Sequence, residues 1–169
     1  TRWATHGVAD EVNSHPHKVG KFTIVHNGIV ENYNELRSKL KGEGYVFKSE
    51  TDTEVIAALL DNIYKTNNDV LESIRKMTDI LDGSYALGIM CEDDNDTLYV
   101  ARNKSPLIIG VGKSDNYIAS DVPAILDKTK KYIELEDGCY AKITANEINL
   151  YKDGIKKEYN VEEFKYDAS

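Results

Sequence analysis

The sequence predicts an α+β domain, and three observations carry that prediction. Apolar residues recur at helical spacing in three stretches between Glu31 and Leu81. From Ser84 onward the period shortens to that of strands, and turn signals separate the runs. No internal repeat or low-complexity linker divides the chain. Helices grouped ahead of strands, without βαβ alternation, point to a largely antiparallel sheet with helices packed on it. At 169 residues the chain fits one domain, large enough to bury a real core.

Taken in order, Thr1 to Val19 has no sustained period. It holds Trp3, Gly7, Pro16 and three of the four histidines, and is expected to be a long loop carrying functional side chains. Lys21 to His26 is the first expected strand, an apolar, β-branched run that feeds into Asn27-Gly28. From Glu31 to Leu40, Tyr33, Leu36 and Leu40 share one helical face, with Gly42 and Gly44 as the stop. Tyr45-Val46-Phe47 is a short extended piece. Thr51 and Glu54 have capping-box spacing, ahead of a wide stripe of Val55, Ile56, Leu59, Leu60 and Ile63. A third helix spans Asp69 to Leu81, with Val70, Ile74, Met77 and Leu81 in phase and Asp82-Gly83 ending it.

Tyr85 to Met90 is nearly all apolar, as a strand covered on both faces should be. Leu98–Ala101, Pro106–Val111, Tyr117–Ala119, Lys131–Leu135 and Tyr140–Ile143 follow as strands. Ile148–Tyr151 and Ile155–Tyr159 pair across Asp153-Gly154, the signature of a two-residue hairpin turn.

Composition narrows the function. The chain is 41% apolar and 30% charged, and 21 basic against 29 acidic residues give a net charge of −8. A broad nucleic-acid surface needs a basic face, so none is expected. No run reaches the ~18 apolar residues of a membrane span, and no basic-then-apolar leader is visible. Cys91 and Cys139 are too few for a disulfide framework and suit a reducing, cytoplasmic compartment. Asn95-Asp96-Thr97 matches a glycosylation sequon, which carries no weight without a secretory signal. The chain opens at Thr1 inside a motif-like stretch and without Met, so a piece of a longer protein is expected.

Several stretches carry possible chemistry. A strand delivering Asn27-Gly28 to one edge offers a side-chain amide and a backbone N–H, the two donors of an oxyanion hole. The same dipeptide, taken alone, is the commoner mark of a tight turn. Arg2-Trp3-Ala4-Thr5-His6-Gly7 packs a guanidinium, an indole, a hydroxyl and an imidazole into six residues, and Arg2 can grip a carboxylate bidentately. Asp52 sits at a helix start, where it either caps or holds a ligand ammonium. His15-Pro16-His17 places two imidazoles close in sequence, but Pro16 keeps the segment extended and no Cys or acidic ligand pattern accompanies them, so no metal is expected. No nucleophile stands out. Cys91 ends an apolar strand, and Cys139 follows Glu136-Asp137-Gly138, whose charges raise a thiol pKa. Neither a phosphate loop nor a nucleophile elbow is present.

Thr1-Arg2-Trp3-Ala4-Thr5-His6-Gly7, Asn13-Ser14-His15-Pro16-His17, Val25-His26-Asn27-Gly28-Ile29-Val30-Glu31-Asn32 and Ser49-Glu50-Thr51-Asp52-Thr53-Glu54 occur in this order and spacing. Together they resemble the glutaminase domain of the glucosamine-6-phosphate synthase family of class II amidotransferases. Ser105-Pro106-Leu107, Ile118-Ala119-Ser120-Asp121 and Leu135-Glu136-Asp137-Gly138 extend the likeness along essentially the whole chain, residues 1–169. The resemblance implies an αββα N-terminal-nucleophile hydrolase sandwich of two antiparallel sheets, incomplete at its N-terminus. It implies that an N-terminal cysteine attacks the glutamine amide, with its own α-amine as base, and that ammonia passes to a sugar-phosphate isomerase domain of the same parent chain. Carried over residue by residue, Asn27 and Gly28 form the oxyanion hole, Arg2 clamps the glutamine α-carboxylate and Asp52 its α-ammonium. Thr5, His6 and Gly7 close over glutamine, Trp3 guards the ammonia exit, and His15 lines the same region. No cofactor is implied, and the parent is expected to be a homodimer.

In the family the cysteine precedes the Thr-Arg-Trp motif, so this stretch alone is expected to be inactive. Two other readings stay open. One is a glutamine-binding or regulatory module without chemistry; the other makes Thr1 itself an N-terminal nucleophile.

Overall fold

A computed structural model describes residues 16–112, 116–119 and 129–164, and residues 2–4 as backbone. Their elements run β1 (Arg2–Ala4), β2 (His17–Val19), β3 (Phe22–Val30), α1 (Tyr33–Gly42), α2 (Asp52–Asn67), α3 (Val70–Ile80), β4 (Gly83–Cys91), β5 (Leu98–Asn103), β6 (Ile108–Val111), β7 (Asn116–Ala119), β8 (Lys131–Glu134), β9 (Tyr140–Ile143), β10 (Ile148–Lys152), β11 (Ile155–Lys157) and β12 (Glu162–Glu163). They form a seven-stranded sheet, ordered β11-β10-β9-β5-β4-β3-β2, and a five-stranded sheet, ordered β1-β7-β6-β8-β12. The pairings within both are antiparallel, as the predicted fold class requires.

Two cores hold three layers together. On one face of the seven-stranded sheet, Phe22, Ile24, Val30, Leu87 and Ile89 bury against Leu36 and Leu40 of α1, Val55, Ile56 and Leu60 of α2, and Ile74 and Met77 of α3. On the other face, Val25, Ala86, Val100 and Ala141 meet Ile109, Ile118 and Ile133 of the second sheet. β4 contributes to both cores, which is why its sequence is apolar without alternation. Among the described residues no helix is long and apolar enough to cross a membrane.

Several expectations shift in the structure. The first strand does not stop at His26: β3 runs on through Asn27-Gly28 to Val30, in unbroken register with β4 from Phe22↔Cys91 to Val30↔Gly83. Asn27-Gly28 is therefore not a turn. The turn preference of the dipeptide is overridden by a nine-residue antiparallel pairing. The Thr1–Val19 stretch is not all loop, since β1 pairs with β7 and β2 with β3. Gly83 opens β4 instead of only closing a helix, and Tyr45-Val46-Phe47 joins no sheet. The hairpin forms as predicted, and Asp153 and Gly154 both take positive φ (53° and 82°), the requirement of a type I′ turn.

Candidate functional site

The site is assembled where β3 leaves the cover of its neighbour. β2 pairs with β3 over Phe22–Ile24, and from His26 to Val30 that edge of β3 pairs with no strand among the described residues. Two backbone groups on the other edge face β4: Glu31 N–H donates to the Asp82 carbonyl at 2.8 Å and Ile29 N–H to Ser84 Oγ at 3.4 Å. Val30 N–H points the opposite way and donates to Asp52 Oδ2 at 3.0 Å. Backbone donors alternate along a strand. Gly28 N–H is thereby turned toward the uncovered edge, on the same side as Asp52.

Side chains alternate as well. Val25 enters the core between the sheets, so Asn27 and Ile29 share that face, and both are exposed, Ile29 at 66%. Gly28 takes φ +112°, and a Cβ there would run into the Ser84 carbonyl and lie 2.7 Å from Ser105 Oγ. Only glycine fits. The opposing turn is firmly held: Arg102 donates to the carbonyls of Ser105 (2.8 Å) and Leu135 (2.7 Å), and Asp137 takes the Lys104 N–H at 2.7 Å.

Asp52 is the first residue of α2. The helix start is fixed by Thr51, whose hydroxyl accepts the Glu54 N–H at 3.4 Å. The reciprocal half of the predicted capping box is replaced, because the Glu54 carboxylate accepts Lys48 N–H, Ser49 N–H and Ser49 Oγ at 2.8, 2.7 and 2.6 Å. Burial pushes the Glu54 pKa up, but these donors outweigh it and hold the group below the ordinary carboxylate value. With one oxygen tied to Val30, the Asp52 side chain remains 22% exposed, enough for a ligand to reach it.

Beneath this site lies His26, its side chain 2% exposed. Nδ1 is 3.3 Å from Thr53 Oγ1 and 3.7 Å from Asp52 Oδ1, while Nε2 is buried without a hydrogen-bond partner among the described residues. Burial lowers the His26 pKa, against the Asp52 carboxylate and the Ser84 backbone, which favour the charged ring.

The structure thus brings together Asn27, Gly28 and Asp52. Arg2 and Trp3 lie on β1, in register with Ala119 and Ile118 of the second sheet. Thr1, Thr5, His6, Gly7 and His15 fall outside the described residues. His17 has its Nε2 3.2 Å from Thr51 Oγ1. Cys91 and Cys139 are both buried, and burial pushes both thiols above their ordinary value, helped by Glu136 at Cys139. Neither is an activated thiolate.

Sequence reasoning missed His26, Thr53, Ser84 and Ser105. Parity along β3 would have found His26, because it sits on the helix-facing side with Ile24. Ser84 and Ser105 reach Gly28 only through strand pairing, which leaves no local signal.

Residues 8–127 match the family model of a glutamine amidotransferase domain. The chain belongs to the glutamine amidotransferase domain family. Over 169 residues it is 46% identical to the glutamine–fructose-6-phosphate aminotransferase (isomerizing) of Acinetobacter baylyi, covering 100% of this chain and 27% of that protein. The enzyme of the same name from Thermococcus kodakarensis is 51% identical over 146 residues, covering 85% of this chain and 24% of its own length. The chain therefore spans about a quarter of the length of the curated relatives it matches. Among solved structures, the Bacillus subtilis glutamine phosphoribosylpyrophosphate amidotransferase superposes with a TM-score of 0.70 at 24% identity, covering 82% of this chain and 31% of that one. That likeness shows a shared fold, and the described residues supply two packed antiparallel sheets with helices on one of them, in keeping with the α+β sandwich expected from the sequence.

Proposed function

We propose that this chain is the glutamine-hydrolysing module of a glutamine–fructose-6-phosphate aminotransferase, and that the whole protein makes glucosamine 6-phosphate. The observation that supports the reading is that Asp52, still accessible, is tied to Val30 N–H at 3.0 Å, on the stretch of β3 that carries Asn27-Gly28 and that pairs with β4 alone among the described strands. Glutamine bound there sets its α-ammonium on Asp52 and its α-carboxylate on Arg2. Its side-chain carbonyl oxygen lies between Asn27 Nδ2 and Gly28 N–H.

A thiolate attacks the amide carbon, the carbonyl electrons move to oxygen, and the two donors stabilise the resulting oxyanion. Collapse expels ammonia and leaves a thioester, which water hydrolyses to glutamate. Cys91 and Cys139 are buried and are not the attacking thiolate; the resemblance implies an N-terminal cysteine in that role, with its own α-amine as base. Thr5, His6 and Gly7 close over glutamine, Trp3 guards the ammonia exit and His15 lines the same region. The ammonia passes to a sugar-phosphate isomerase domain of the same polypeptide, which works as a cytoplasmic homodimer. No cofactor takes part.

The test is glucosamine 6-phosphate formation by the full-length protein from fructose 6-phosphate and glutamine, with glutamate release followed in parallel. Product formation at one glutamate per glucosamine 6-phosphate is expected. Saturable glutamine binding without glutamate release would instead identify a non-catalytic glutamine-binding module.

A further inference from the structure

His26 is the buried titratable group that the proposed chemistry leaves without a task. It precedes Asn27 in the chain, so its ring is rigidly linked to the backbone that carries the oxyanion donors, yet it projects to the opposite face of β3. There it meets the first turn of α2. Beyond apolar packing, which is non-directional and tolerates sliding, the described hydrogen bonds between His26–Val30 and this turn are two. Val30 N–H donates to Asp52 Oδ2 at 3.0 Å, and His26 Nδ1 lies 3.3 Å from Thr53 Oγ1.

We propose that His26 is a positioning residue, which through Thr53 fixes the distance between the Asn27-Gly28 donors and the Asp52 carboxylate and so sets how well a ligand α-ammonium is held. The inference rests on the proposed glutamine site. The imidazole suits the task for a second reason. It stands 3.7 Å from Asp52 Oδ1, where a fixed cation would compete with the substrate's ammonium for the carboxylate. Burial keeps the ring neutral, so Asp52 keeps its charge for the ligand.

The test compares two ligands of the full-length protein: glutamine, and 5-amino-5-oxopentanoate, which is glutamine without its α-ammonium and is measured as a competitive inhibitor. Asp52→Asn should raise the glutamine KM more than about tenfold and leave the inhibitor constant within about twofold, since a hydrogen bond to a charged group contributes roughly that much. Thr53→Val and His26→Leu should raise the glutamine KM by about three- to tenfold, with kcat and the inhibitor constant within about twofold, and Thr53→Ser should restore the wild-type KM.

If Asp52→Asn is selective for glutamine but the other two variants leave its KM unchanged, or weaken both ligands alike, His26 is a packing residue and the inference falls while the glutamine site stands. If Asp52→Asn is itself unselective, the assignment of Asp52 and the inference fall together. Should His26→Leu fail to fold, the isosteric Thr53→Val decides.

Discussion

The two halves of β3 are built for opposite purposes. From Phe22 to Val25 the strand is paired on both edges over most of its length and is largely buried, with Phe22 edge-on to Tyr64 at 5.1 Å between ring centroids. From His26 to Val30 one edge pairs with no strand among the described residues, three successive residues are exposed, and Gly28 holds a φ of +112°. Local propensity alone would end the strand between the halves, since Asn27-Gly28 is a turn signal, yet β3 runs through both in one register with β4. The difference is made by what stands beside them. β2 ends at the level of Ile24, and α2 begins at the level of Val30. Among the described residues the neighbour strand on that side stops short, while β3 itself continues in register with β4.

That contrast can be broken from either side. The largest effect is expected in the buried half, where Phe22→Ala should cost the domain about 3–5 kcal/mol, as deletion of a fully buried aromatic does. Calorimetric unfolding would show it, while kcat per folded molecule stays as in wild type. The open half should respond the other way. Asn27→Ala should lower glutaminase turnover by roughly 10²–10³, or about 2.7–4 kcal/mol, with little change in KM or thermal stability. A large rise in KM at constant turnover would make Asn27 a ligand-positioning residue and remove the oxyanion assignment.

Gly28→Ala falls between these cases. Its Cβ meets a backbone carbonyl, which cannot swing aside, in a conformation strained for any residue with a side chain. A loss of about 1–3 kcal/mol in stability together with reduced turnover is expected. Loss of turnover alone would mean that the strand relaxes around the methyl group.

How much of this was legible depended on whether a feature is local. The three helices, the double-sided burial of β4 and the Asp153-Gly154 turn follow from periodicity and backbone chemistry within a few residues. The extent of β3 did not, because Asn27-Gly28 is a turn signal whose fate is decided by pairing with residues 84–86. Local pattern offered Asp52 as a cap or as a holder of a ligand ammonium, but not as a partner of β3. Its link to Val30 spans 22 positions, and no spacing rule announces it. The Glu54 side chain is a milder case, since a capping-box pattern was met by half of that motif and a different set of backbone donors.

The smallest expected effect separates the halves by pH. His26 is buried with its pKa lowered from 6.5, so the unfolded chain binds a proton near that pH which the folded chain does not. Its contribution is therefore a loss of stability as pH falls through 6.5 and down to the lower folded value, at most about 1.4 kcal/mol per pH unit for one proton. Glu54 works in a separate window. Its folded pKa lies below 4.5, so the stability it adds is present above that value and is lost only at more acid pH. In His26→Gln the melting temperature should consequently fall less steeply than in wild type as pH drops from 7 to 5. A wild-type curve that falls less steeply than that of His26→Gln in the upper window would mean that the ring keeps a proton in the fold. Asp52 would then face a permanent cation, and the open half of β3 would lose its capacity to select an ammonium.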